Sequence, residues 1–111
     1  MRRGEVWIYD RKAGMLTEDH DGFRFAYEPD YLLRPDAVAV SLTLPLRSDP
    51  YQSEQLFPFF DGLIPEGWLL ELVGRTWKIN PRDRMGLLLE CCGDCIGAVS
   101  IIPSERKETD S

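Results

Sequence analysis

The side chains best suited to catalysis or metal binding in this sequence are three cysteines and a single histidine. Cys92 and Cys95 are spaced as C-x-x-C. In redox proteins with this spacing, the first thiol lies at the N-terminus of a helix, where the helix dipole favours the thiolate. The apolar pattern instead predicts that Cys92 lies at the end of a helix. Zinc requires four ligands, and His20 lies far from the cysteines in the sequence. We therefore interpret the cysteines as small apolar residues at the edge of a core, with a thiol enzyme as the alternative.

Other catalytic patterns are absent from the sequence. It contains no glycine-rich phosphate loop and no kinase-like set of a catalytic base with metal-binding acids. His20 lies beside a turn signal at Asp21 and Gly22 and has no neighbour for acid–base work. We predict that this chain is not an enzyme and that it uses no cofactor and no metal.

The composition predicts one globular domain. Of the 111 residues, 43% are hydrophobic and 29% are charged, which is enough apolar material for a single core. The formal net charge of -6 argues against nucleic-acid binding, because phosphate contacts require basic patches. No stretch is long and apolar enough to span a bilayer, and the first residues do not resemble a signal peptide. The odd number of cysteines fits a reducing compartment, so we expect a cytoplasmic protein.

The first half of the chain is predicted to form strands. Alternating apolar and polar residues, with the turn signal at Asp21 and Gly22, predict an antiparallel meander over residues 4–28. A later β-branched run is ended by Pro45. The expected elements are strands over residues 6–9, 15–17, 23–27 and 37–44, with turns at residues 11–14 and 47–52.

The second half is predicted to be helical, followed by one returning strand. Pro65 suits the first turn of a helix, and Asn80 with Pro81 forms an N-cap followed by proline at the first helical position. Strands followed by helices and a last strand indicate an α+β fold, with a small antiparallel sheet or partly closed barrel and two to three helices packed on one side. Met85, Leu88 and Leu89 form the apolar stripe of the third helix. The expected elements are helices over residues 53–60, 65–77 and 81–92 and a strand over residues 96–102, in a domain over residues 1–103 before a disordered polar tail at 104–111.

One segment carries more large apolar residues than a helix readily buries in a domain of this size. Residues 57–68 precede Leu69, Leu72 and Val73, which form an ordinary core stripe at about 100° per residue. Trp68 lies at the edge of that stripe. Packing inside the domain explains the segment as well as a partner-binding patch does. The candidate partner-binding residues are Phe57, Phe60, Asp61, Leu63, Ile64, Pro65, Glu66 and Trp68.

Three blocks of sequence carry a family resemblance: LTLPL at residues 42–46, FFDGLIPEG at residues 59–67 and GDCIGAV at residues 93–99. In this order and spacing they resemble the N-terminal subdomain of HipA-type toxin kinases, over residues 4–103. In those proteins the subdomain precedes a serine/threonine kinase core, whose phosphate-binding loop and catalytic aspartates have no counterpart in this sequence. Kinase activity is therefore not implied.

The resemblance is greatest to the short HipS-type antitoxins of three-gene HipBST toxin–antitoxin systems. It implies an antitoxin that binds and neutralises a HipT-like serine/threonine kinase, with a HipB-like DNA-binding protein in the same complex. Trp68 is then expected to be the anchor near the kinase active site. The alternative is the N-terminal subdomain of a longer HipA-type kinase, with a structural role only.

Overall fold

The structure, a computed structural model, describes residues 2–64, 82–91 and 98–104. The strands of this part pair in the order β4-β3-β2-β1-β5, and every neighbouring pair is antiparallel. The predicted α+β class is confirmed. Of the two expected arrangements, the structure has the antiparallel sheet, which is open, and not the partly closed barrel. The strands are β1 (Arg2–Ile8), β2 (Arg11–Asp19), β3 (Gly22–Tyr27), β4 (Tyr51–Ser53) and β5 (Val99–Pro103), and the described helices are α1 (Pro29–Leu32), α2 (Pro58–Asp61) and α3 (Arg84–Cys91).

The meander β1-β2-β3 matches the predicted strands, but its first turn lies earlier than expected. Tyr9 and Asp10 form that turn, and Tyr9 adopts a φ of 56°, a left-handed conformation that is uncommon outside glycine. The prediction of a turn at residues 11–14 was therefore wrong, because those residues begin β2. The second turn is confirmed, since Gly22 has a φ of 128° and a Cβ there would lie 2.4 Å from the carbonyl oxygen of Ser53.

One face of the sheet carries the core. Val6, Leu16 and Phe25 are fully buried there, in the same cluster as Met85 and Leu88 of α3. Met85 and Leu88 of the predicted apolar stripe are thus confirmed as buried, whereas Leu89 is only partly buried and the unpredicted Leu87 is buried. The helix α3 itself begins at Arg84. The helix comes very close to β1, because a Cβ at Gly4 would lie 2.9 Å from Cδ2 of Leu89. Glycine at this position allows the helix and the strand to pack together.

The predicted strand at residues 37–44 is wrong. Apart from one isolated bridge between Ser41 and Leu44, the segment has no strand pairing. Its backbone polar groups bind tyrosine hydroxyls instead. The Tyr31 hydroxyl donates to the Val38 carbonyl at 2.8 Å and accepts from the Val38 N–H at 3.0 Å. Deeper in the segment, the buried N–H of Val40 donates to the Tyr27 hydroxyl at 3.0 Å. A buried backbone group requires such a partner, and here a side chain provides it in place of a neighbouring strand.

Three further elements lie at positions in the chain that differ from the predicted ones. Residues 47–52 were expected to be a turn, yet Tyr51 begins β4 and pairs with Phe25. The helix expected from Ser53 begins at Pro58, and the last strand extends through Pro103. The helix expected over residues 65–77 lies outside the described residues, as does the expected tail beyond Ser104. Within the described residues, no helix is long and apolar enough to cross a membrane.

Candidate protein-interaction surface

The segment singled out from the sequence forms a single helical turn at its start. Pro58 occupies the first helical position, where its missing N–H costs nothing. The N–H of Asp61 donates to the Phe57 carbonyl at 3.0 Å, and the N–H of Gly62 donates to the Pro58 carbonyl at 2.9 Å. The N–H of Ile64 then donates to the Asp61 carbonyl at 3.2 Å. The chain is therefore tightly turned as far as Ile64.

Phe60 fixes this turn to the sheet. Its side chain is fully buried, and its ring meets the ring of Phe25 edge-on, with centroids 5.3 Å apart. The rings of Phe57 and Phe59 approach Phe60 in the same edge-on manner, at 6.1 Å and 5.2 Å. Edge-to-face pairs at these distances add to the free energy gained by burying the rings. Phe60 thus anchors α2 in the core of its own chain.

Asp61 is held by the first residue of α3. Its Oδ1 accepts a hydrogen bond from Nε of Arg84 at 2.6 Å, which links α2 to the first residue of α3. The two side chains are 41% and 38% exposed, so solvent screens the pair and its contribution to stability is modest. The carboxylate therefore orients α2 relative to α3.

The predicted partner-binding residues fall into three groups. Phe57, Phe60 and Ile64 are buried, and Asp61 and Leu63 are partly exposed. Their role in binding a partner stays a prediction, because these exposures describe the chain by itself. Three of the predicted residues lie outside the described part of the chain: Pro65, Glu66 and Trp68.

A second charged cluster joins the first strand to the start of α3. The guanidinium of Arg2 donates to both oxygens of Glu18, at 2.6 Å and 2.9 Å, and to both oxygens of Asp83, at 2.9 Å and 2.7 Å. Asp83 also accepts from the N–H of Gly86 at 3.1 Å and thereby caps α3. The hydrogen bonds from Arg2 are the main reason that the pKa of Asp83 lies below its usual value.

A cavity of about 530 Å³ opens beside this cluster, between β3, α2 and the start of α3. Its wall combines apolar side chains with acids and arginines, so it could hold a mixed apolar and polar side chain of a partner. Within residues 2–64, 82–91 and 98–104, no group of histidine, cysteine or acidic residues is arranged to hold a metal ion. Cys92 and Cys95 lie outside these ranges. The lining residues include Phe23, Leu56, Met85, Glu54, Asp61, Asp83, Arg82 and Arg84.

The sequence reasoning missed exposed apolar side chains in the segment that was predicted to be a strand. Leu42 is fully exposed, and Val38 and Leu46 of the same segment are 55% and 37% exposed. We call residues 38–46 the tyrosine-held segment, because Tyr27, Tyr31 and Tyr51 all bind its backbone through their hydroxyl groups. The LTLPL block was the available signal, because a run of large apolar residues with no charged residue within it indicates either a core or a contact surface.

The fold is that of a HipA N-terminal domain. A solved structure described as the N-terminal domain of HipA toxin matches with a TM-score of 0.75 and 36% sequence identity, and the match covers 96% of each chain. The sequence model of the HipA N-terminal domain matches residues 4–102. This chain therefore belongs to the HipA N-terminal domain family.

Two relatives of this chain differ in the length of the sequence that they contain in addition to this domain. A protein of Haemophilus influenzae is 39% identical over 101 residues, which are 91% of this chain and 92% of that protein. A Sinorhizobium fredii protein designated as a kinase, Y4mE, is 29% identical over 107 residues, which are 96% of this chain but 26% of its own length. The domain thus occurs in one relative as nearly the whole protein and in the other as about a quarter of it.

Proposed function

We propose that this chain is an antitoxin that binds and neutralises a HipA-like serine/threonine kinase of the HipT type by protein–protein contact. Membership of the HipA family supports a role connected with toxin–antitoxin systems. The observation that carries the proposal is the Haemophilus influenzae relative, of which the aligned domain makes up 92%. Because the domain makes up nearly all of that protein, no room is left in it for a kinase core. Such a protein can act on a kinase only by binding a separate kinase chain.

The segment that begins at Phe57 is the proposed contact. Phe60 fixes α2 to the sheet and Arg84 fixes it to α3, so the proposed contact segment begins on an ordered base. Rigid positioning lowers the entropic cost of binding. Trp68, Pro65 and Glu66, which follow this base in the sequence, are proposed to reach the kinase, with Trp68 as the anchor. A HipB-like DNA-binding protein is proposed as a third component.

Co-expression tests the proposal directly. The chain is expressed with a HipT-like kinase, and growth, co-purification and kinase autophosphorylation are measured. We expect restored growth, a stable complex and reduced autophosphorylation. Normal kinase toxicity together with no co-purification would contradict the antitoxin function.

Trp68→Ala tests the anchor, with Trp7→Ala as the matched control. Trp7 lies in β1, outside the proposed contact, and its indole N–H donates to Glu5 at 3.1 Å. We expect Trp68→Ala to abolish inhibition and Trp7→Ala to retain it, once thermal unfolding shows that both variants fold. Equal inhibition by Trp68→Ala and the unmodified chain would remove Trp68 from the contact.

A second function is favoured by the Sinorhizobium fredii relative, in which the matched domain is only 26% of the protein. In this alternative the chain is the N-terminal subdomain of a longer HipA-type kinase and has a structural role within it. An immunoblot of the native protein separates the two functions. A native product of about this length fits the antitoxin, and a product several times longer fits the alternative.

A further inference from the structure

Two aspartates of this chain are followed directly by glycine, Asp21 by Gly22 and Asp61 by Gly62. In such a pair the backbone nitrogen of the glycine can attack the side-chain carboxyl group, because glycine has no side chain to hinder the approach. The product is a cyclic imide, which reopens to an isoaspartate whose peptide bond runs through the former side chain. Both pairs can react in an unfolded chain, and the fold decides which of them can react in the native one.

The folded chain holds both reacting groups of the second pair. The N–H of Gly62 donates to the Pro58 carbonyl at 2.9 Å, and the Asp61 carboxylate accepts from Nε of Arg84 at 2.6 Å. Release of the Gly62 nitrogen requires α2 to unwind, and α2 carries the fully buried ring of Phe60. Such a local opening costs free energy, so the reactive arrangement at Asp61 is rarely populated.

The first pair lies instead at an exposed end of the sheet. His20 and Asp21 form the turn between β2 and β3, and Gly22 lies opposite Asp19 in the last pair of this hairpin. Asp21 is exposed, and within the described residues no hydrogen bond or ion pair holds its carboxylate. The last pair of a hairpin opens more readily than a helix that packs on the core, so the Gly22 nitrogen becomes available while the core stays intact.

The fold itself requires the reactive glycine at position 22. Gly22 has a φ of 128°, which side chains disfavour, and a Cβ there would lie 2.4 Å from the carbonyl oxygen of Ser53 and 3.0 Å from Cα of Glu54. A larger residue would hinder the attack on Asp21, but the close approach of β4 excludes it. The packing of β4 against the hairpin therefore keeps this turn in its reactive form.

We propose that Asp21 is a modification site, at which the folded chain converts to isoaspartate while Asp61 stays intact. The Gly22 nitrogen forms a bond to Cγ of Asp21, and one carboxylate oxygen leaves as water with the amide proton and a proton from solvent. Water then adds to the main-chain carbonyl of Asp21, whose bond to the Gly22 nitrogen breaks, and the solvent proton is returned. One water is released and one is consumed, so the conversion needs no enzyme, oxidant or cofactor.

The product has a changed turn between β2 and β3. Cβ of Asp21 enters the main chain, which lengthens the backbone before Gly22 by one atom, and the free carboxylate is then attached at Cα. Because the length of its turn fixes the register of a hairpin, the longer backbone disturbs the pairing of Asp19 with Gly22. This inference concerns the hairpin alone and does not depend on the proposed function.

Incubation of the full-length chain at neutral pH, followed by peptide mapping with mass spectrometry, tests the proposal. Electron-transfer fragmentation distinguishes isoaspartate from aspartate, which has the same mass. The incubation lasts until a sample unfolded in guanidinium chloride shows isoaspartate at both positions, where we expect the two fractions to agree within about three-fold. In the folded sample we expect the fraction at Asp21 to exceed that at Asp61 by about ten-fold or more, because Asp61 reacts only after local unfolding.

Asp21→Glu is the matched control, because it keeps the charge while its longer side chain disfavours closure of the ring. We expect this variant to show no isomerised residue at position 21 and an unchanged fraction at Asp61. Equal isoaspartate fractions at Asp21 and Asp61 in the folded chain would overturn the proposal. The absence of isoaspartate from Asp21 in the folded chain, while the unfolded chain reacts at both positions, would overturn it as well.

Discussion

Arg84 and Asp61 join α2, which lies at the start of the candidate surface, to α3 through a hydrogen bond of 2.6 Å from Nε to Oδ1. Asp61 is the last residue of α2, and Arg84 is the first residue of α3. The pair therefore lies where the proposed contact segment leaves its helical turn. A residue in this position can influence partner binding by orienting the segment, without touching the partner.

A double-mutant cycle with Asp61→Asn and Arg84→Gln is expected to give a coupling energy of about 0.5 kcal/mol, because both side chains are substantially exposed. Urea denaturation of the two single variants and the double variant provides the measurement. In the kinase-binding assay the two single variants should weaken binding equally if Asp61 acts only by orienting α2. A larger loss for Asp61→Asn would identify a direct contact with the kinase.

Phe60→Ala is expected to lower the free energy of unfolding by about 3–5 kcal/mol, since it removes a fully buried ring and leaves a cavity among three aromatic neighbours. Phe59→Ala is the matched control, because Phe59 is only partly buried and its loss should cost less. Thermal unfolding followed by circular dichroism compares the two variants. Equal destabilisation by both would show that Phe60 is not the anchor of α2.

Tyr27→Phe is expected to cost about 1–3 kcal/mol, because it leaves the Val40 N–H and the Leu44 carbonyl without their shared hydroxyl partner. Tyr51→Phe serves as the control, because its hydrogen bond to Pro45 is exposed and water can replace it. Urea denaturation measures both. A cost for Tyr27→Phe no greater than that for Tyr51→Phe would mean that the phenol does not stabilise the tyrosine-held segment.

Burial also raises the pKa of the Tyr27 hydroxyl above its ordinary value. The folded chain therefore keeps this proton at a pH where the unfolded chain releases it. The contribution of Tyr27 to stability should be complete below about pH 10 and should decline as the pH rises beyond it. An NMR titration of the tyrosine rings should show the Tyr27 resonance shifting at a higher pH than an unfolded tyrosine, and an ordinary titration would contradict this expectation.

Asp83 should make stability depend on acid pH. Its pKa is lowered, chiefly by the hydrogen bonds from Arg2, so at a pH just below about 4 the unfolded chain binds this proton and the folded chain does not. The stabilising contribution is therefore present above about pH 4 and is lost as the pH falls through the lower pKa of the folded state.

Urea denaturation between pH 7 and pH 3 tests this dependence. We expect Asp83→Asn to be less stable than the unmodified chain at pH 7 and the difference to shrink as the pH falls. Asp49→Asn provides the control, because Asp49 is exposed and lies outside the cluster of Arg2, Glu18 and Asp83. A pH-independent difference for Asp83→Asn would show that the carboxylate contributes nothing through its charge.

Local patterns in the sequence predict the elements whose contacts are local. The turn before Gly22 follows from a residue that tolerates positive φ, and the buried face of α3 follows from the spacing of Met85 and Leu88. The strand expected at residues 37–44 failed for a non-local reason. Its apolar, β-branched residues suit a strand, but two tyrosines from earlier in the chain occupy its backbone.

The candidate surface was predictable only in part, for a similar reason. The richness of residues 57–64 in aromatic rings is visible in the sequence, whereas their division into buried and exposed side chains depends on Phe25, more than thirty positions earlier. Leu42 shows the converse. Nothing in its immediate neighbours distinguishes a leucine in a core strand from one at the corner of a turn.

The position of β1 between β2 and β5 has a consequence for synthesis of the chain. Gly4 pairs with Pro103, so the outer edge of β1 has no partner until almost the whole domain has left the ribosome. A nascent chain can form the meander early, but it exposes a strand edge that other chains can pair with. Premature termination before β5 should therefore yield aggregation-prone chains, because the domain can close its sheet only after β5 has been synthesised.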